Sequence, residues 1–176
     1  MAAFTDISRA RIPGFGLRDV ASKQIREMLA TRSLTDGGLA IHGTNTENTL
    51  TAAAVVHTID GVFKSLAADT EIDISALVFK DGDGNTVTQE ALATAKKCVY
   101  VFAVDAAGTE FMFQGVQVLE ADDAFCPGVA AGYAAFGAVK VSNATGSDFT
   151  LGTTALDAAS VTDTYYDIAY PFAASV

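Results

Sequence analysis

The residues best able to do chemistry are few and widely spaced. Asp81-Gly82-Asp83-Gly84-Asn85 sets oxygen-bearing side chains at alternate positions, as a hard divalent cation requires of a loop. The pattern stops short. Thr86 stands where a calcium loop takes its turning glycine, Leu92 where it takes glutamate, and the preceding segment reads as strand rather than helix. An acidic hairpin loop accounts for the same residues, so no metal is expected, although Asp81, Asp83 and Asn85 leave a cation open. His42 and His57 have no Cys or His at ligand spacing and are expected as surface or satisfied buried histidines. Asp122 and Asp123 are adjacent, and neighbours on a loop point apart into solvent. There is no Gly-x-Ser-x-Gly elbow and no P-loop to carry a nucleophile or a nucleotide. Cys98 and Cys126 form neither a zinc knuckle nor a disulfide framework; buried unpaired thiols are expected, with pairing as the alternative. Asn143-Ala144-Thr145 fits the N-glycosylation pattern. Because the opening Met1-Ala-Ala-Phe-Thr-Asp has neither the basic start nor the apolar stretch of a secretory leader, that pattern reads as a surface turn. No catalytic residue and no cofactor are expected, and the chain does not read as an enzyme.

Charge is the stronger signal. The chain has 176 residues and a net charge of −10, half of its residues are apolar and only 18 % are charged. That composition excludes a disordered acidic tail and supports a folded core. The charge is unevenly placed. Residues 1–35 carry six cations (Arg9, Arg11, Arg18, Lys23, Arg26, Arg32) against three acids, and residues 36–176 carry five cations against eighteen acids. A basic leader on an acidic body predicts that the two face different surroundings. The acidic body would repel nucleic acid and anionic membrane, and no apolar run approaches the ~20 residues that cross a bilayer. Five of the six leader cations are arginines, whose planar fork suits bidentate contacts with carboxylates. Arg9, Arg11, Arg18, Arg26 and Arg32 are therefore the candidate partner-binding residues; a solvated first helix is the plainer reading.

The elements that position these groups follow from periodicity. Ile12-Pro13-Gly14-Phe15-Gly16 breaks regular structure, so residues 1–16 read as an arm. Apolar residues at 17, 20, 21, 25, 28 and 29 make one helical stripe from Leu17 to about Arg32, stopped by Asp36-Gly37-Gly38. Beyond that the period changes to two. Val55–Ile59 and Val62–Leu66 flank Asp60-Gly61, a type I′ hairpin signal. Residues 71–79 alternate as a half-buried strand with Ile72, Ile74, Ala76 and Val78 on one face, and residues 89–97 fit helix or strand equally. Val99–Asp105 and Thr109–Val118 form the strongest hairpin, with a bulge or bend at Gly115 where the apolar parity flips. Further strands are expected near 136–142, 148–151 and 163–169. The chain thus divides into an N-terminal arm and helix (1–38) and a β-rich body (39–176). The fold class is mainly β, an antiparallel β-sandwich or barrel.

Phe136-Gly137-Ala138-Val139-Lys140-Val141, Phe149-Thr150-Leu151-Gly152-Thr153-Thr154-Ala155-Leu156-Asp157 and Thr164-Tyr165-Tyr166-Asp167 together resemble a C-terminal pattern of tailed-bacteriophage virion proteins. The upstream Ile59-Asp60-Gly61 and Asp105-Ala-Ala-Gly108 turns are similar in kind, so the resemblance spans roughly residues 55–171. It implies a structural virion protein, made in the host cytoplasm and carried on the capsid surface. Capsid decoration fits best: the chain is small, lacks fibre-like heptads, and carries a basic arm suited to ordering on another subunit. The implied partners are the major capsid protein and further copies of the chain, most simply as a homotrimer. A tail or head-fibre component is the alternative, such as a carbohydrate-binding module with an aromatic platform or a carboxylate pair about 5–10 Å apart. The absence of Trp weighs against that module. A tail-tube subunit is the remaining possibility.

Overall fold

The computed structural model describes residues 30–169. Eleven strands occur in this span: β1 (Arg32–Ser33), β2 (Leu39–Ile41), β3 (Thr49–Thr51), β4 (Val55–Ile59), β5 (Val62–Leu66), β6 (Val78–Lys80), β7 (Lys96–Val104), β8 (Glu110–Gln114), β9 (Val118–Leu119), β10 (Ala134–Asn143) and β11 (Val161–Asp167). They assemble into a six-stranded sheet in the order β11-β10-β7-β8-β6, with β9 added to β7, a three-stranded sheet β1-β4-β5, and a β2-β3 pair. The result is a mainly β, sandwich-like fold with no closed barrel. Every pair is antiparallel except β6–β8, which is parallel. That exception follows from the connection: the long β7 lies between β6 and β8 in sequence and pairs with β8 on its other edge.

The main core fills the space between the sheets. Leu39, Val55 and Ile59 come from the small sheets, and Tyr100, Phe102, Val104, Met112, Phe136, Val139 and Val141 from one face of the large one. Two observations show how closely β2 approaches the large sheet. A Cβ on Gly137 would lie 2.8 Å from Leu39 Cδ2, and the Leu39 N–H donates to Asp167 Oδ1 at 3.0 Å. The outer face of the large sheet carries a second cluster, Val99, Val101, Ala103, Phe113, Ala130 and Ala138, roofed in part by Val129, Tyr133 and Ile168. Phe111 and Phe113 both meet the Tyr133 ring edge-on. Strand burial on both faces explains why β7 reads as a nearly continuous apolar run.

Local chemistry accounts for the corners. Asp60 (φ 50°) and Gly61 (φ 79°) both adopt the left-handed region, as a type I′ turn demands, and Ile59 pairs with Val62 across it. At Gly115 the expected bulge is present. Tyr100 pairs with Gln114, but Lys97 pairs with Val118, so the register slips by one residue between them. A side chain at Gly115 would collide with Val99 O at 2.9 Å and Phe125 O at 3.1 Å. A second bulge, not expected, sits at Phe136, between Ala135↔Ala103 and Gly137↔Phe102. It explains how Phe136 and Val139 reach the same core despite opposite parity.

Several expectations require correction. The strand expected over 71–79 is a β-bridge at Ile72, a 3-10 turn at Ile74–Ala76 and the short β6. Ile72 and Ile74 are buried as alternation requires, but the Asp73 carboxylate accepts the Ser75 N–H and hydroxyl and closes the chain into a turn. As a result Phe79 is buried and Val78 exposed, the reverse of the expected face. Residues 89–97 are not helical; Leu92 bridges Phe149 and β7 begins at Lys96. Residues 148–151 contribute only that bridge before a turn. The helix expected from Leu17 lies outside the described residues up to residue 29. Its last positions, 30–32, are a bend running into β1, which pairs with β4.

Candidate interaction surfaces

The acidic loops are built to hold their own backbone. Asp81 accepts the N–H groups of Asp83 (3.0 Å) and Asn85 (2.8 Å) on Oδ1 and the Asn85 amide (3.1 Å) on Oδ2. The Asn85 bonds hold its carboxyl below the usual carboxylate value. With both oxygens engaged, Asp81-Asn85 behaves as a capped hairpin corner. Asp105 does the same for Ala107 and Thr109. Glu71 accepts the side-chain amides of Asn48 and Asn45, which together keep its carboxyl low. Among the described residues no group of three His, Cys, Asp or Glu is placed to hold a metal ion.

The remaining singled-out residues are dispersed. His42 is a turn acceptor, its Nδ1 receiving the Asn45 N–H at 2.8 Å. His57 is buried in β4, where desolvation lowers its pKa and favours the neutral ring. Cys98 and Cys126 are unjoined thiols. Only Cys98 is buried, its pKa pushed up to about 11 by desolvation; Cys126 is exposed, against expectation, on the loop that follows β9. Asn143 is not a surface turn. It ends β10, is 1 % exposed, and donates to Leu92 O (3.2 Å) and Ser147 O (3.0 Å), so its amide is a core fastener. Asp122 and Asp123 are exposed on a loop.

Arg9, Arg11, Arg18 and Arg26 lie outside the described residues. Arg32 is half-buried in β1 opposite Thr58. It is one wall of a groove of about 270 Å³ whose other sides include Thr31, Val129, Tyr133, Ala135 and Ile168. The basic leader therefore joins the body beside an apolar depression on the outer side of the large sheet.

Two apolar outcrops were not anticipated. On β5, the outer strand of its sheet, Val62 and Phe63 are 55 % and 58 % exposed. At the Gly115 bulge, Val116 (80 %) and Phe125 (75 %) project around a second depression that also includes Cys126 and Pro127. The run Val62-Phe63-Lys64-Ser65-Leu66 lacks strict alternation, which was the available sign that β5 is exposed from Val62 to Ser65, with only Leu66 packing against the core. These two pairs are among the most prominent apolar groups on an otherwise acidic surface. Glu110 was also missed. Its Oε1 is buried without a hydrogen-bond partner in the protein, and burial, aided by the Asp69 charge, pushes its pKa up to about 7. No helix among the described residues is long and apolar enough to cross a membrane. No family model matches the chain, and neither a curated protein nor a solved structure matches it.

Proposed function

We propose that this chain is a non-enzymatic structural protein of a tailed-bacteriophage particle that decorates and stabilises the capsid by binding the major capsid protein lattice as a homotrimer. The observation that carries the reading is the division of charge. Eighteen acids against five cations follow residue 35, and a leader with five arginines joins that body through Arg32 in β1. Arginine forks meet carboxylates on a neighbouring subunit, and the exposed Val62, Phe63, Val116 and Phe125 add apolar contact area. The resemblance of the strands near Phe136–Val141 and Thr164–Asp167 to virion proteins supports the same reading.

The test is reattachment to purified particles stripped of this protein. Replacing Arg9, Arg11, Arg18 and Arg26 together with glutamate should weaken attachment about a hundredfold or more. Wild-type attachment should weaken as salt rises from 50 to 500 mM, because exposed ion pairs are screened. Unchanged attachment by the quadruple variant overturns the arm as the binding element. Specific binding in a glycan screen, with no binding to capsids, would instead favour a receptor-recognising tail module.

A further inference from the structure

We propose that the groove walled by Thr31, Arg32, Val129, Tyr133, Ala135 and Ile168 is the seat of this chain's own segment 17–29, which docks there through Ile25, Met28 and Leu29. This goes beyond the proposed function and holds whatever partner the arm meets.

Chain path supplies the first argument. Thr31 and Arg32 are themselves a wall of the groove, so residue 29 lies two residues from its rim. No long loop needs closing, and the entropy cost of docking is that of a short link. Chemistry supplies the second. The groove's main lining is aliphatic and aromatic, with Val129, Tyr133 and Ile168 only half-buried over the outer cluster of the large sheet. The leader is basic overall but has an apolar stripe at Leu17, Val20, Ala21, Ile25, Met28 and Leu29, with Lys23 and Arg26 falling on the opposite side at helical spacing. Size supplies the third. A cavity of about 270 Å³ takes a few side chains and not a whole helix. The stripe positions nearest Thr31 are therefore the ones that enter. Seated in this way, the segment turns Arg26 outward and holds the arm in one direction before any partner is met, which lowers the ordering cost of binding.

Two measurements on the full-length chain test the docking. Trypsin cleaves after Lys23 and Arg26, and the rate tracks the population in which the segment is released. The triple change Ile25→Ala, Met28→Ala and Leu29→Ala keeps helix propensity and leaves the body untouched; it should accelerate cleavage after Lys23 about tenfold or more. Ile168→Asp should do the same from the groove side. Equal cleavage rates in wild type and the triple variant overturn the proposal. In a Cys126→Ser background, the pair Met28→Cys and Ala135→Cys should be joined by a short bismaleimide within one chain, giving a linked monomer. Absence of a link, or links between chains only, also overturns it.

Discussion

Glu110→Gln should stabilise this protein above neutral pH and leave it unchanged in acid. Glu110 opens β8 opposite Val104, and its Oε1 is buried without a partner while the Asp69 charge adds to the cost of ionisation. Its carboxyl moves from an ordinary 4.5 to about 7 in the folded chain. The folded state therefore holds a proton that the unfolded state has released between those values, and stability falls as pH rises through the interval. At face value the interval corresponds to about 3 kcal/mol. The side chain is only half-buried, and solvent screening reduces the expected effect to about 1–2 kcal/mol. Glutamine keeps the shape and never ionises. Urea unfolding of both proteins from pH 4.5 to 9 measures the difference directly. The curves should agree near pH 4.5 and separate by about 1–2 kcal/mol above pH 8, with the variant more stable. His57 acts with the opposite sign: its lowered pKa makes stability fall as pH drops below about 6.5. Because that contribution is common to both proteins, it cancels in the difference. Parallel curves across the whole range would refute the placement of Glu110 in a desolvated position.

Other residues give equally direct checks. Gly115→Ala forces a methyl against Val99 O and Phe125 O and should cost about 1–3 kcal/mol in urea unfolding; an unchanged midpoint would mean that the bulge is open. Asn143→Ala removes the amide donor to Ser147 O and one of two donors to Leu92 O, which keeps the Phe149 N–H at 2.9 Å, and should cost about 1–2 kcal/mol by the same measurement. A thiol reagent at pH 8 should label Cys126 in the folded protein within minutes and reach Cys98 only on unfolding; simultaneous labelling would contradict the burial of β7.

Where the backbone itself dictated a residue type, the sequence was informative. Asp60-Gly61 located the hairpin to the residue because two consecutive left-handed residues admit few alternatives. Gly115 located the bulge because the apolar parity changes beside it. The Phe136 bulge carried a similar sign, in the spacing from Phe136 to Val139 and Val141 and in Gly137 beside it. Residues 71–79 misled because the alternation of Ile72 and Ile74 is satisfied equally by a turn, and the choice lay with a side-chain bond from Asp73. Asn143 misled because a glycosylation pattern says nothing of which face of a strand its amide takes. Acid counts were informative about the surface but not about sites: Asp73, Asp81 and Asp105 each hold a corner of their own backbone. The groove beside Arg32 was invisible because it joins positions 31–33, 129–135 and 168–169, which only the folded sheet brings together.

The most direct test of the proposed role is a symmetry-resolved reconstruction of a tailed-phage particle assembled with this chain present. The account predicts three-fold clusters of copies on the outer face of the capsid, each with its arginine-bearing arm laid on a neighbouring shell subunit. Copies confined to the tail, or a particle that assembles without this chain in its shell, would contradict it.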